Sequence, residues 1–393
     1  MLEPDIRMLV VEDQGELRRA LVAILKRMGA SVVHSVSSGE DALEILAKSP
    51  VDFILCEYTL PELNGMALLR EIRTNNAYAE TPFIMLTNQG QFDDEEYAEA
   101  ADYDIDGHLI KPLNQKDLED IVDEILKKRA EFKECAIRLA RAAAFVDIGA
   151  DTEAATEIAS AQEAQPTSTR VWVESGQLFE ELGDNEKAHK SYARASKIDS
   201  FCAKAYEGMA NILGKEGKSE EAFEFLKKAV DLSPKNKDRQ LKMTRHLLES
   251  GDEDGARVSL HKALERESDP AARSAAAADF LMESGRADLA EAEYSFALES
   301  DPDNTRYYNR LGLAFRRQKK FREAIENYKK ALTVSPDDTV LYYNMAVALA
   351  ESGQQTQAIG ALRRALVLRP KFPQAENFLQ SLQEKTESIA ARN

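Results

Sequence analysis

The sequence predicts an α/β domain with a doubly wound, five-stranded parallel sheet, followed by a long all-α array of repeats. Three observations indicate this fold class. Short apolar runs alternate with helical patterns five times within residues 1–127. From residue 135 onward, a period of 34 residues brings glycine, alanine and proline into register. Residues 116–148 hold neither proline nor glycine, so we expect a continuous, rigid helix to join the two parts.

The first domain is expected to alternate strands with helices in chain order. Helices are expected at about 15–28, 38–48, 65–75 and 93–101, and after Pro112. Strands are expected at 7–11, 31–35, 51–56, 83–86 and 107–110. Right-handed crossovers place such strands in one parallel sheet with helices on both faces. Glu57 ends the third apolar run, so we expect it at the carboxyl edge, where open α/β sheets bind ligands.

Charged and polar side chains follow four of the five expected strands. Glu12 and Asp13 follow the first strand, Glu57 the third, Thr87 the fourth and Lys111 the fifth. The carboxyl ends of parallel strands meet at one edge, so we expect these side chains to converge. Three carboxylates suit a hard divalent cation such as Mg²⁺, and a lysine beside a hydroxyl suits a phosphoryl group.

Residues 5–127 resemble the receiver domain of bacterial two-component response regulators, which has a flavodoxin-like fold. The features that carry the resemblance are Glu12 and Asp13, the loop LPELNG at 60–65, Thr87, and the dipeptide Lys111-Pro112. The resemblance implies an aspartate that accepts a phosphoryl group, and Glu57 replaces that aspartate here. It also implies a switch formed by Thr87, Lys111 and a tyrosine or phenylalanine, whose place His108 takes.

The replacement by Glu57 has two interpretations. In one, the longer side chain imitates part of a phosphoaspartate, although a carboxylate carries about one charge and a phosphoryl group about −1.5 to −2. In the other, Glu57 forms an ion pair with Lys111 that replaces the metal. We expect phosphorylation to be lost or slow, because in-line transfer depends on close positioning. Whether Glu12, Asp13 and Glu57 bind Mg²⁺ stays open, and for His108 we favour a half-buried aromatic role over a pH-sensitive switch.

The negative charge is concentrated in the first domain. The chain has a net charge of −18, and residues 1–127 hold 11 Lys and Arg against 26 Asp and Glu. Such a domain repels nucleic acid and attracts basic protein surfaces or divalent cations. Residues 93–106 contain eight acidic side chains and no basic one. This stretch is either a solvated helix surface or a docking and homodimerisation face, which the resemblance to receivers also implies.

The second part of the chain divides into seven repeats without an insertion. When the repeats are aligned, one position holds glycine in every repeat except the sixth, where it holds Lys319. Two other positions hold alanine throughout, beginning with Ala154 and Ala161. The repeats are 135–168, 169–202, 203–236, 237–270, 271–304, 305–338 and 339–372. They resemble the tetratricopeptide repeat, and the best single match is Trp172, Gly176, Phe179, Ala188, Tyr192 and Ala195. The resemblance implies stacked helix pairs that form a superhelix.

The expected domain boundaries follow from these patterns. We place a receiver-like domain at 1–127 and the repeats, with their joining helix, at 128–372. Residues 373–393 read as a capping helix whose end frays after about Glu384.

The resemblance to tetratricopeptide repeats implies a concave groove that binds protein partners. The groove positions of the family fall at Arg170, Gln177, Asn211, Arg245, Asp279, Arg306, Asn309, Arg310, Leu313, Arg316 and Tyr343. Arg306 and Arg310 resemble part of a carboxylate clamp, but Glu207 and two apolar residues replace its other members. Seven basic residues within 316–330 form either a solvated face or a partner for the acidic stretch 93–106.

These features predict a signalling adaptor of a two-component pathway that works independently of phosphorylation. Its expected partners are a histidine kinase, another response regulator or another pathway component, bound through the groove. Two alternatives are a phosphate- or Mg²⁺-responsive regulator with a repeat output, and an assembly factor for a secretion or surface apparatus. No independent catalytic constellation is seen, so we expect no enzyme. Widely spaced cysteines and the lack of a secretion or membrane-spanning signal predict a cytoplasmic protein that does not insert into membranes.

Overall fold

The computed structural model describes residues 6–75, 77–91 and 94–390. The chain divides into two compact units, residues 1–243 and 244–393, which are described separately below. No helix in the described part of the chain is both long enough and apolar enough to cross a bilayer.

The first unit begins with a five-stranded sheet in which all neighbouring strands are parallel. The strands are β1 (Arg7–Val11), β2 (Val32–Val36), β3 (Phe53–Glu57), β4 (Phe83–Thr87) and β5 (Gly107–Ile110), in the order β2-β1-β3-β4-β5. Every residue of β3 and β4 is buried, as expected for central strands covered on both faces. The predicted fold class is therefore confirmed. β3 begins two residues later than expected, and the Asp52 carboxylate just before it accepts a 2.8 Å hydrogen bond from the backbone N–H of Arg7.

Helices cover both faces of this sheet. They are α1 (Gly15–Met28), α2 (Gly39–Lys48), α3 (Gly65–Thr74), α4 (Asp94–Asp102) and α5 (Gln115–Asp147). Leu25 of α1 and Leu118 of α5 lie in the core of one face, while Ala42 of α2 and Leu69 of α3 lie in the core of the other. Two apolar cores therefore hold the sheet edge in place from both sides.

Helix α5 is continuous over 33 residues and takes part in both halves of the first unit. It starts at a capping box formed by Asn114 and Asp117. Its first turns pack on the sheet, whereas Cys135 and Leu139 pack in a second core with Ile158 of the following helix. The helix that completes the receiver-like fold is thus also the first helix of the repeat array.

Most of the remaining helices pack in consecutive pairs along the chain. Their bounds are α6 (Asp151–Ala164), α7 (Thr169–Glu181), α8 (Asn185–Ile198), α9 (Ala203–Lys215), α10 (Ser219–Leu232), α11 (Lys237–Ser250), α12 (Glu253–Ala263), α13 (Pro270–Glu283), α14 (Ala287–Ser300), α15 (Thr305–Arg317), α16 (Phe321–Val334), α17 (Thr339–Glu351), α18 (Gln355–Leu368) and α19 (Pro373–Ala390). The last helix extends beyond Glu384, and the expected tail at 391–393 lies outside the described residues.

Small residues set the spacing of these helices. Every alanine of the two predicted columns is buried, including Ala154 and Ala161 at 0% exposure. Tyr192 lies against both Gly176 and Gly208, where an added Cβ atom would come within 2.6 and 2.4 Å of the tyrosine ring, respectively. Glycine at both positions therefore lets the ring fill the space between neighbouring repeats.

The turn within each repeat uses a left-handed residue. The glycine column adopts φ values from +71° to +84°, and Lys319, which replaces glycine in the sixth repeat, adopts +61°. Glycine has no Cβ penalty there, whereas another L-residue loses roughly 1–2 kcal/mol. The repeat geometry therefore holds even where the sequence lacks the preferred residue.

Candidate functional site

The carboxyl edge of the sheet brings the predicted polar residues together. Glu12 follows β1, Glu57 and Thr87 end β3 and β4, and Lys111 follows β5. The side chains of Glu12, Glu57 and Lys111 are 0%, 3% and 8% exposed. Three charged groups are thus collected in a region that excludes most water.

The ammonium group of Lys111 lies between two carboxylates. Its Nζ donates to Glu12 Oε2 at 2.7 Å and also forms an ion pair with Glu57 Oε2. The pair between Glu57 and Lys111 matches the second interpretation of the glutamate. Buried charges of this kind are stable only when they are paired.

The surrounding loops fix both carboxylates. The second oxygen of Glu57 accepts a 3.0 Å hydrogen bond from the backbone N–H of Thr59. The loop then closes at Gly65, whose N–H donates to the Tyr58 carbonyl at 2.9 Å. A Cβ atom at Gly65 would lie 2.5 Å from the Glu57 carbonyl oxygen, so glycine is required for this approach. Glu12 is held in a similar way by the backbone N–H of Gln14, at 3.2 Å.

The arrangement of these side chains does not fit the Mg²⁺ site that the sequence left open. The ammonium of Lys111 bonds to both Glu12 and Glu57 and supplies the charge that a cation would supply. Asp13, the third expected ligand, is exposed, and its carbonyl accepts a 3.2 Å bond from Arg18. Within the described ranges, no group of three or more His, Cys, Asp or Glu side chains is placed to hold a metal ion.

Burial and pairing act in opposite directions on these groups. Burial raises the pKa of Glu12 above its ordinary value, and the bond to Lys111 only partly offsets this effect. Burial also opposes the charged form of Lys111, but Glu12 and Glu57 outweigh it and raise the lysine pKa. Lys111 is therefore firmly protonated at neutral pH.

Thr87 and His108 form a separate contact at the same edge. Thr87 Oγ1 lies 2.7 Å from His108 Nε2, and Thr87 is fully buried. Burial lowers the pKa of His108, so its ring is neutral at neutral pH. The histidine thus forms a hydrogen bond that a phenylalanine at this position would lack.

The groove positions of the first unit lie close to the receiver-like domain. The Arg170 guanidinium bonds to Glu80 at 3.1 Å and to Glu174 at 2.7 Å, and it lies 4.5 Å from the centre of the Phe132 ring. Gln177 lines a polar cavity of about 450 Å³ beside residues 101–106. Asn211, on α9, accepts a 3.4 Å bond from Lys242.

The exposed groove positions of the second unit are mainly arginines. Arg306 and Arg310 are exposed on α15, and Arg310 lies 3.3 Å from Asp279 of α13. Arg245 covers the Phe280 ring at 5.1 Å. Arg245, Arg306 and Arg310 therefore form a cationic surface, in which Arg245 packs on the Phe280 ring.

Other predicted groove positions bond within their own unit. Asn309 accepts a 2.7 Å bond from Asn344. Arg316 forms a 2.9 Å ion pair with Glu351. The ring of Tyr343 packs on Phe372, the final residue of the same repeat. Asn309 and Arg316 therefore contribute to the packing of neighbouring repeats, and Tyr343 to the packing within its own repeat.

A second buried charge cluster was missed by sequence reasoning. Arg239 of α11 pairs with Asp102 at the end of α4, and each side chain is only 3% exposed. Arg239 Nε also donates to Glu207 Oε2 at 2.7 Å, and Glu207 pairs with Lys242. The acidic composition around Asp102 predicts a cationic partner, but the sequence does not identify Arg239 as that partner.

The acidic stretch contacts a different set of bases from the predicted cluster. Asp104 pairs with Lys204 at 2.8 Å, and Glu99 lies 3.9 Å from Lys235. In the predicted cluster, Lys320 instead pairs with Glu291 at 2.6 Å, within the second unit. Asp93, the first member of the stretch, lies outside the described residues.

Comparisons with protein families assign both parts of the chain. Residues 8–123 match the response regulator receiver domain. Models of the tetratricopeptide repeat match residues 173–237, 215–278, 247–312, 305–338 and 327–360.

Similar proteins cover one part of the chain at a time. Chemotaxis protein CheY-3 of Vibrio cholerae serotype O1 is 27% identical over 128 residues, which are 33% of this chain and 97% of that protein. The chemotaxis protein CheY homolog of Campylobacter jejuni is 27% identical over 122 residues, which are 31% of this chain and 92% of that protein. The crystal structure of MamA protein aligns with 43% of this chain and 92% of its own, at 20% identity and a TM-score of 0.29.

Proposed function

We propose that this chain, a response regulator receiver domain followed by tetratricopeptide repeats, is a signalling adaptor whose receiver is set without phosphorylation. The observation that carries the proposal is the buried ammonium of Lys111, which bonds to both Glu12 and Glu57. The buried cluster of Glu12, Glu57 and Lys111 permanently takes the place of the charges that a phosphoryl group and a metal ion would bring to this edge. The receiver then acts as a fixed part of the scaffold.

The position of the Glu57 carboxylate supports this proposal. One of its oxygens bonds to Lys111 and the other accepts from the backbone of Thr59, so both are engaged. Nucleophilic attack on a phosphoryl donor would require Glu57 to leave the lysine and face the solvent. Since removing one member of a buried ion pair costs about 3–5 kcal/mol, this rearrangement would slow the transfer strongly.

Receiver domains commonly bind Mg²⁺. In this chain, a lysine bonds to two of the three carboxylates that would form the metal site. A site made by Glu12, Asp13 and Glu57 would require Lys111 to withdraw from both of its carboxylate partners. A phosphate- or Mg²⁺-responsive regulator is therefore the second candidate, and the labelling experiment below separates the two.

Proteins are the proposed partners of the repeats. We place the binding of a histidine kinase, another response regulator or another pathway component in the groove of the second unit, where Arg306 and Arg310 are exposed. Assembly of a secretion or surface apparatus is another role that such a groove could serve. We also place the chain in the cytoplasm, where its free cysteines, Cys56, Cys135 and Cys202, would stay reduced.

Transfer from a small phosphodonor tests the proposal. The full chain is incubated with radiolabelled acetyl phosphate and Mg²⁺, and acid-stable and acid-labile labels are counted separately. We expect no acyl phosphate on the wild type. Glu57→Asp should become labelled, because the shorter side chain withdraws from Lys111 and restores the usual nucleophile.

A matched control uses a glutamate of the same loop. Glu62→Asp makes the same chemical change at an exposed residue, and it should stay unlabelled. A stable acyl phosphate on the wild type, formed as fast as on Glu57→Asp, would show that the receiver is responsive and would overturn the proposal.

A further inference from the structure

The α4 face of the receiver packs on the repeats of its own chain. Helix α4 contacts both α9 and α10 within the first unit. The central contact joins Asp102 to Arg239, and Arg239 bridges onward to Glu207. Because Asp102 and Arg239 are almost completely buried, this contact excludes water in the way a specific interface does.

Three weaker ionic contacts surround this centre. Lys204 Nζ lies 2.8 Å from Asp104 Oδ2, with the two side chains 34% and 52% exposed. Arg170 reaches Glu80 at 3.1 Å, where the side chains are 42% and 73% exposed. Lys235 and Glu99 are 3.9 Å apart. Exposed pairs contribute little to affinity, but they orient one charged surface on another.

Three cations of this interface lie on first helices of the repeats, the helices that line the predicted groove. Arg170 lies on α7, Lys204 on α9 and Arg239 on α11, which are the first helices of repeats two, three and four. Gln177 and Asn211, two further groove positions, lie beside the same contacts. The receiver is therefore seated where a tetratricopeptide array would otherwise accept a ligand.

We propose that the groove of repeats two to four is a binding surface for an acidic helix, and that α4 of the same chain occupies it at rest. A protein partner that presents carboxylates on a helix would exchange with α4 at Lys204, Lys235 and Arg239. The same exchange would expose the acidic face of α4 to a second protein, including a second copy of this chain. A chain whose α4 occupies its own groove therefore cannot form a homodimer through α4 at the same time.

This inference does not depend on the chemistry at Glu57. The contact is made by residues of α4, by the turn after it and by Glu80, and it persists whether or not Glu57 accepts a phosphoryl group. Failure of the labelling experiment and failure of the experiment below would consequently overturn different statements.

Binding of an α4 peptide tests the exchange in the full chain. The probe is a fluorescent synthetic peptide with the sequence of residues 94–106, and binding is measured by anisotropy at low salt. In the Asp102→Lys variant a cation faces Arg239, so the resident helix should leave the groove. We expect the variant to bind the peptide at least about tenfold more tightly than the wild type, equivalent to about 1.4 kcal/mol.

Two controls separate opening of the groove from a general charge effect. Glu44→Lys makes the same charge change on α2, at a side chain that is 70% exposed, and should leave peptide binding at the wild-type level. A scrambled peptide of equal charge should bind Asp102→Lys at least about tenfold less tightly than the probe. The double variant Asp102→Lys/Arg239→Glu reverses the pair and should exclude the peptide again.

Hydrogen exchange provides a readout that does not require a peptide. We expect faster exchange in α4 and α9 of Asp102→Lys, with unchanged exchange in β3 and α18, which would show that both parts stay folded. Wild-type protection of α4 in this variant would overturn the inference that the ion pair holds the groove closed. Equal binding of the probe and the scrambled peptide would overturn the assignment of the surface to an acidic helix.

Discussion

In each of two buried clusters of this protein, one cation lies between two carboxylates. At the sheet edge, Lys111 lies between Glu12 and Glu57. Between the receiver and the repeats, Arg239 lies between Asp102 and Glu207. The first cluster is assembled by strand ends of a single domain, whereas the second joins the receiver to the repeats through Asp102 and Arg239, which are 137 residues apart in sequence.

The two clusters differ in how their charges are balanced. Burial raises the pKa of Glu12, and the bond to Lys111 offsets this effect only in part. Burial acts on Glu207 in the same direction, but Arg239 and Lys242 outweigh it and lower the pKa. The cluster at the sheet edge thus has two carboxylates and one cation. The cluster between the receiver and the repeats has a second cation, Lys242, for its two carboxylates. Similar ionic groups can thus serve as a fixed element within the receiver, at Lys111, and as a releasable contact between the receiver and the repeats, at Arg239.

The largest effect is expected for Lys111→Met. Removing the ammonium leaves Glu12 and Glu57 buried and facing each other, so we expect the receiver to lose about 3–5 kcal/mol of stability at pH 7. Native-state hydrogen exchange of the β1 and β3 amides measures this loss directly. Lys48→Met removes an exposed lysine that pairs with Glu44 and should change the same amides by less than about 0.5 kcal/mol. Equal effects of the two variants would contradict a buried cluster.

A smaller effect is expected for Arg239→Met. Asp102 loses its partner, but Glu207 keeps Lys242, and the interface can open so that water solvates Asp102. We expect protection of the α4 amides to fall by about 2 kcal/mol, while β3 stays protected. Arg170→Met makes the same substitution at the exposed edge of the interface and should cost at most about 1 kcal/mol. Loss of β3 protection in Arg239→Met would show that the two clusters are not independent.

The smallest effect is a difference in the sign of the pH dependence. The folded-state pKa of Glu12 is raised above 4.5, so its contribution to stability increases as pH falls through that raised pKa toward 4.5. The folded-state pKa of Glu207 is lowered, so its contribution is present above 4.5 and is lost as pH falls through the lowered pKa. Carboxyl ¹³C titrations, assigned with Glu12→Gln and Glu207→Gln, should give shifts of opposite sign. Shifts of the same sign would remove the proposed difference between the clusters.

Periodicity made most of the fold predictable. Apolar runs located all five strands to within about two residues, because a buried central strand leaves little freedom in residue type. The 34-residue period located the helix pairs and the left-handed turns, including the one at Lys319, since each repeat must present the same small residues to its neighbours. The convergence of Glu12, Glu57 and Lys111 also followed from strand order along the chain.

The sequence by itself determined which residues end the strands, where the helices pair, and that a glutamate stands at the centre of the receiver edge. Only the tertiary structure decided which charges meet. Arg170 carries a groove signature but contacts Glu80, and the acidic α4 face meets Arg239, which no sequence pattern singled out. The physical reason is that a periodic pattern specifies the face of a helix, whereas an ion pair depends on distances of 3–4 Å between groups up to 137 residues apart.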